Sequence, residues 1–294
     1  MELFDTVPFL LLIGFLAGFF NSYLGIGGGT VITGLLSVLL EDMAETAAVS
    51  ITCCLLVSLL SLYAKRKDIK KEEILRNTFL RIITFRFIFI FLTMSFLLKG
   101  FDRGEKKIID NISSLSLVVF LVYMVLSNSG KVRSYFSIKD KVMDFWMGTV
   151  TGILYPLTGV SGGIIFTNFF KKRYKVSYEL SVFHSLSITA MTSLFAFIIY
   201  LIKDPGILKG KIVCYILLGS FFGIILGRNC LRTSADKNIF YCIHVVVICM
   251  IFGTLLKLFG VNTSLNLTVT LIPLIIVAIF GIFKPRVAVT KTII

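Results

Sequence analysis

The stretch Leu24-Gly25-Ile26-Gly27-Gly28-Gly29 lies inside a long apolar run of this chain. A related stretch, Thr158-Gly159-Val160-Ser161-Gly162-Gly163, lies inside a second apolar run 134 residues later, counted from Gly25 to Gly159. Consecutive glycines cost a helix about 1 kcal/mol each, so both runs are predicted to be broken at these points. Broken helices of this kind are typical of proteins that move a solute through a membrane.

The two stretches belong to a longer repeat. The same offset aligns further residues without a gap: Gly14, Gly18, Gly25, Gly28, Gly29, Thr33 and Glu45 match Gly148, Gly152, Gly159, Gly162, Gly163, Thr167 and Glu179. We therefore expect two related transmembrane halves, residues 1–127 and 144–258, and an additional C-terminal helix at 266–284.

The composition is that of a multi-pass membrane protein. Of the 294 residues, 56% are hydrophobic and the mean hydropathy is +0.93, well above the apolar share of a soluble domain. Stretches of spanning length recur along the chain, at 7–40, 47–64, 78–98, 111–127, 145–170, 180–202, 212–227, 239–256 and 266–283. The net charge of +14 comes from Lys and Arg in the short loops between them. Without a soluble basic domain we expect no nucleic-acid partner.

Loop charges predict how the broken stretches run. Stretch 7–40 would form a helix about 51 Å long, against a hydrocarbon core of about 30 Å. If all nine stretches cross the membrane, Lys and Arg divide 14 to 14 between the two sides; if the two broken stretches enter and return on one side, they divide 20 to 8. The second arrangement obeys the positive-inside rule and predicts an external N-terminus and a cytoplasmic C-terminus in the plasma membrane.

The predicted fold class is all-α. Each half holds one glycine-broken, re-entrant helix and three spans, an odd number, so the halves are expected to be inverted repeats with one extra span at the end. The alternative left open is that the glycine-broken segments are kinked single spans.

At these residues the chain resembles the TauE/SafE sulfite exporter family, also called toluene-sulfonate uptake permeases. The resemblance is carried by Gly25-Ile26-Gly27-Gly28-Gly29, by its degraded copy Gly159-Val160-Ser161-Gly162-Gly163, and by a ladder of Gly219, Gly223 and Gly227. It covers roughly residues 7–256 and implies an exporter of sulfite, organosulfonates or related sulfur-containing anions. Gly34 and Asn168 stand where the family usually has a proline, so the particular substrate does not follow.

The glycine clusters are the first candidate substrate site. Without Cβ atoms, successive N–H groups can form an anion nest that opens into a helix N-terminus, with Thr30 and Ile164 opening the half-helices that follow. The predicted substrate-binding residues here are Gly25, Gly27, Gly28, Gly29, Gly159, Ser161, Gly162 and Gly163. The alternative is close helix packing through small residues, which we favour for Gly14, Gly18, Gly148, Gly152 and the later ladder.

Two further residues are candidate substrate ligands. Arg86 lies inside an apolar stretch, where an arginine is costly and marks a functional site by default, and its planar fork suits a pair of anion oxygens. The alternative is that Arg86, and more easily Arg81, extends to the membrane surface. His184 stands at the position of Ser50 in the other half and could bind an anion or carry a proton; a structural role is the alternative.

No Asp or Glu lies within an apolar stretch, so coupling through a membrane-embedded carboxylate is not expected. The six cysteines have no metal-site spacing, and we expect neither metal nor cofactor. The predicted function is alternating-access transport of a small anion, with the lipid bilayer as the other partner and the oligomeric state open. The alternatives are a rhomboid-like intramembrane serine protease, with Ser161 as nucleophile and His184 or His244 as base, and a non-transporting accessory membrane protein.

Overall fold

The computed structural model describes residues 7–40, 42–65, 76–98, 103–128, 140–233 and 236–283, and these are helical apart from short connections. The helices are α1 Val7–Leu24, α2 Gly28–Leu39, α3 Met43–Lys65, α4 Arg76–Leu97, α5 Arg103–Asn128, α6 Asp140–Thr158, α7 Gly163–Arg173, α8 Tyr178–Lys203, α9 Gly210–Thr233, α10 Asp236–Leu258 and α11 Thr263–Phe283. A single 3₁₀ turn, Pro205–Leu208, joins α8 to α9.

The breaks occur where the glycine clusters predict them. Gly25 and Gly27 have φ angles of 62° and 84°, and Gly159 and Gly162 have φ angles of 69° and 76°. Only glycine adopts these values without strain, so the chain leaves the helix at each cluster. The following helices begin at Gly28 and Gly163, slightly earlier than the predicted Thr30 and Ile164.

The first broken element turns back on itself. Helix α1 runs parallel to α9, since Gly14 packs on Ile216 and Gly18 on Ser220. Helix α2 runs parallel to α10, since Gly34 packs on Met250 and the Leu40 carbonyl accepts a hydrogen bond from Lys257 Nζ. Because α9 and α10 are consecutive spans of opposite direction, α1 and α2 also run in opposite directions. The re-entrant prediction is confirmed for this element, and a kinked single span is wrong.

The two halves are inverted relative to each other. Helices α3 and α8 are counterparts under the 134-residue offset. Glu45, in the first turn of α3, forms an ion pair at 3.2 Å with Lys209, which follows the end of α8. Ala48 near the start of α3 also clusters with Tyr200 near the end of α8. The counterparts therefore run antiparallel, as expected of inverted repeats.

Eight helices in the described residues are apolar and long enough to cross a membrane. One is α1, which belongs to the hairpin; the others, α3, α4, α5, α8, α9, α10 and α11, are the seven predicted spans. The chain is a polytopic α-helical membrane protein.

Glycines bring two pairs of helices into backbone contact. A Cβ on Gly148 would lie 2.7 Å from the carbonyl oxygen of Ile82, and one on Gly152 would lie 3.0 Å from that of Arg86. The ladder of Gly219, Gly223 and Gly227 packs in the same way on the backbone of α1. Small residues permit this approach within a bilayer, so the packing interpretation of these glycines is confirmed.

We expect Gly219→Ala to destabilise the protein by about 3 kcal/mol or more, at or above the upper end of the usual cost of overpacking. Its Cβ would overlap the Leu11 carbonyl oxygen and lie 2.9 Å from Phe15 N, and neither atom can move without shifting α1. Gly210→Ala, on the same helix, is the control, because a Cβ there meets nothing within 4 Å. Thermal unfolding in detergent measures both variants, and equal melting temperatures would contradict the packing argument.

Candidate functional site

The two glycine breaks lie against each other in the interior of the protein. A Cβ on Gly163 would come within 2.6 Å of Gly27 N and of Ile26 O, and one on Gly29 would come within 2.5 Å of Gly159 O. A Cβ on Gly27 would overlap Ser161 Oγ. All these residues are buried. The structure thus brings the glycines of both predicted clusters together at one place.

Hydroxyl groups of the neighbouring helices hold the carbonyls of the two breaks. Ser50 Oγ of α3 lies 3.2 Å from Gly29 O and 3.1 Å from Gly159 O. Ser185 Oγ of α8 donates to Gly163 O at 2.9 Å. These contacts fix the irregular backbone, which membrane proteins tolerate only where protein or a cavity surrounds it.

Arg86 of α4 points into the second break. Its side chain is fully buried, and Nη2 donates to the carbonyl oxygen of Ser161 at 2.8 Å. The guanidinium carbon lies 4.8 Å from the centre of the Tyr155 ring and 5.0 Å from that of Phe166. The alternative of an arginine extending to the membrane surface is therefore wrong for Arg86.

The remaining guanidinium donors are unused. Nε and Nη1 of Arg86 are buried and have no hydrogen-bond partner, and no ion pair within the described ranges involves this residue. A buried charge without a counter-charge costs several kcal/mol. The rings of Tyr155 and Phe166 stabilise the charge in part through cation–π contact. The donor nitrogens Nε and Nη1, beside the N-terminus of a helix, suit the oxygens of an anion.

Sequence reasoning missed several residues around Arg86. Cys54 of α3 borders Gly29, because a Cβ on Gly29 would lie 2.5 Å from the Cys54 Sγ. The Tyr155 hydroxyl is hydrogen-bonded to Ser193 at 2.5 Å. Asn21 and Tyr155 each lie four residues before the first glycine of a break. That matched position, polar within an apolar stretch, is the signal that could have found them.

His184 lies on α8, one residue before Ser185. It is buried, and its ring centre lies 4.9 Å from that of Phe170 on α7. His184 therefore contacts α7, the helix that starts at the second break, at Phe170 within the chain segment 163–173. A role of His184 in substrate binding stays a prediction.

The protease alternative lacks its pair of catalytic groups. Ser161 Oγ is buried and has no hydrogen-bond partner, so it is not bonded to His184 or His244. The nucleophile and its base normally lie within hydrogen-bond reach. Ser161 instead contacts the glycine break of the other half, as a small residue at a packed turn.

A buried carboxylate lies near the site although none was expected. Helix α6 begins at Asp140, ahead of the apolar stretch at 145, and so includes Asp144, whose side chain is fully buried. Asp144 pairs with Arg81 of α4 at 2.7 Å, and Arg81 is one third exposed. The two arginines of α4 thus differ: Arg81 has a carboxylate partner, and Arg86 has none among the residues that the structure describes.

Sequence comparisons agree with this arrangement. The chain is 23% identical over 210 residues to a protein of Methanocaldococcus jannaschii named as a probable membrane transporter, covering 68% of this chain and 74% of that protein. No solved structure matches. The profile of the family described as sulfite exporter TauE/SafE matches residues 10–258. With two inverted halves, paired glycine breaks and most of its length matched, this chain is a member of the TauE/SafE family of membrane transporters.

Proposed function

We propose that this transporter carries small sulfur-containing anions, such as sulfite or organosulfonates, out of the cell. The observation that carries the proposal is the guanidinium of Arg86, which is buried beside the second glycine break with no carboxylate partner in the ranges that the structure covers. The TauE/SafE match supports the class of substrate. Anionic oxygens would complete the hydrogen bonding of Nε and Nη1 and neutralise the charge.

The mechanism that fits is alternating access around the paired breaks. Substrate oxygens would bind to Arg86 and to the first N–H groups of α7, which have no intrahelical acceptors. The hydroxyls of Ser50 and Ser185 hold the break carbonyls, so the binding backbone stays ordered while the surrounding helices move. The inverted halves would then rock about this site, opening it to each side in turn.

We further propose a plasma-membrane location with the N-terminus outside and the C-terminus in the cytoplasm, on the 20-to-8 division of loop charges. The most charged loop, 65–77, lies almost entirely outside the described residues. A single cysteine introduced there is expected to react with an impermeant thiol reagent only after cells are opened. Labelling of intact cells would reverse the assignment.

Transport is tested with the purified full-length protein in liposomes loaded with sulfite. We expect saturable efflux that methanesulfonate inhibits, and about 10- to 100-fold slower flux for Arg86→Ala at limiting sulfite, the equivalent of one charged hydrogen-bonding group. Arg81→Ala is the matched control on the same helix. Folded protein without flux of sulfite, sulfonates, thiosulfate or carboxylates would favour the accessory role instead.

A further inference from the structure

The two halves are not equivalent at their glycine breaks. The 134-residue offset extends into the packed helices, since Gly14 on Ile216 corresponds to Gly148 on Ile82. By the same offset Ser220, against Gly18, is the counterpart of Arg86, against Gly152. The second break therefore has a cation, Arg86, where the first break has a hydroxyl, that of Ser220.

In the first half an internal side chain already occupies the helix N-terminus. Asn21 Oδ1 accepts a hydrogen bond from the N–H of Gly28, the first residue of α2, at 2.9 Å. Asn21 Nδ2 donates to Ser61 Oγ at 2.9 Å, which fixes the orientation of the amide. All three residues are buried. The amide oxygen of Asn21 thus stands where an anion oxygen would bind.

The residue at the first break that corresponds to Arg86 is the uncharged Ser220. The hydroxyl of Ser220 is used within the α1–α9 contact, where it donates to Ile216 O at 2.7 Å and lies 3.0 Å from Gly14 O. The first break therefore has no charge at the position equivalent to Arg86, and the N–H of Gly28 already has an acceptor in Asn21.

The second glycine break has the opposite arrangement. The counterpart of Asn21 is Tyr155, whose hydroxyl bonds to Ser193 rather than to the break and whose ring lies against Arg86. Gly162, the N-cap of α7, provides no side-chain cap. The donors of Arg86 that lack partners are on this side. A helix N-terminus without a side-chain cap, next to a cation, favours the binding of an anion more than either feature does alone.

We infer that each chain binds one anion, on the second broken element alone, and that the side chain of Asn21 caps the corresponding helix N-terminus in the first. This inference rests on the proposed function and specifies which part of the site takes the substrate. The chemical class is a small oxyanion that accepts hydrogen bonds from Arg86 and the start of α7. In this inference the α1–α2 element binds no anion, because Asn21 already caps the start of α2.

Binding stoichiometry tests the inference on the full-length protein in lipid nanodiscs. Titration calorimetry with sulfite is expected to give one equivalent per chain. Arg86→Ser, which places at the second break the residue type that Ser220 provides at the first, is expected to weaken binding about 100-fold. Asn21→Ala is expected to keep one equivalent and an affinity within about threefold, while lowering the melting temperature because the Gly28 N–H loses its acceptor.

Selenite, the heavier analogue of sulfite, locates the anion directly. We expect one anomalous selenium peak per chain, near Arg86, and none near Gly28. Two equivalents, a peak at Gly28, or equal loss of binding in Asn21→Ala and Arg86→Ser would overturn this inference and leave the transport proposal standing. Absence of binding by sulfite, methanesulfonate, thiosulfate and acetate to the folded protein would overturn both.

Discussion

Arg86→Met is expected to abolish anion binding while leaving the protein at least as stable as the wild type. The guanidinium is fully buried, and within the described part of the chain it has one hydrogen bond, to Ser161 O, and no carboxylate partner. The desolvation of an ion costs several kcal/mol even after relaxation of the protein, whereas methionine fills similar space without charge. An arginine buried at such a cost in a membrane protein marks a functional site by default, which is the ground on which we propose Arg86 as the substrate ligand.

The control is Arg81→Met, five residues earlier on α4. Arg81 neutralises Asp144, whose carboxylate is fully buried, so its loss leaves an uncompensated charge and lowers stability. We therefore expect opposite outcomes: Arg86→Met loses binding and keeps its melting temperature, and Arg81→Met keeps binding and melts earlier. Thermal unfolding and sulfite calorimetry measure both. A lower melting temperature of Arg86→Met with unchanged sulfite affinity would show that Arg86 is structural.

The second large effect is expected for Gly163→Ala, which should destabilise the protein by about 3 kcal/mol or more and stop transport. Its Cβ would lie 2.6 Å from Gly27 N and from Ile26 O, both backbone atoms of the opposing break. Neither atom can rotate away, so the two broken elements must separate. Overpacking commonly costs 1–3 kcal/mol where side chains give way, and more where they cannot.

Gly28→Ala is the matched comparison within the glycine clusters. A Cβ there would meet the flexible Val57 side chain at 3.3 Å and the Ala17 carbonyl oxygen at 3.8 Å, so a shift of a few tenths of an ångström accommodates it. We expect a clearly smaller loss of stability than for Gly163→Ala, measured by thermal unfolding of the two variants side by side. Equal losses would mean that the contact between the breaks does not limit stability.

The broken elements themselves were predictable. Glycines clustered in an apolar run can only interrupt a helix, and Gly25, Gly27, Gly159 and Gly162 have the positive φ angles that require glycine. The odd number of spans in each half predicted the inversion, which the contact of Glu45 with Lys209 confirms. These features depend on local backbone energetics and on helix counting, and both are properties of sequence order.

Other features were not predictable, because they depend on helices distant in the chain. Asp144 was missed since α6 starts before its apolar stretch does, so a charged residue enters the helical interior. Cys54 and Asn21 acquire their roles only when α3 packs beside one break and when α2 folds back on α1. Nothing in the immediate sequence marks Cys54, and Asn21 is marked only by its match with Tyr155, four residues before the first glycine of each break.

By itself, the sequence determined that this chain is a duplicated, polytopic membrane protein of the TauE/SafE family with a glycine break in each half. Glycine conformation and apolar length act locally, so the order of residues suffices to reveal them. Only the tertiary structure decided that the two breaks touch and that Arg86 is buried against one of them. It also revealed that Asn21 caps the other. The difference between the two breaks cannot be read from the aligned repeat, because it depends on contacts between helices. Asn21 accepts the hydrogen bond of the Gly28 N–H at one break, and Arg86 donates to Ser161 O at the other.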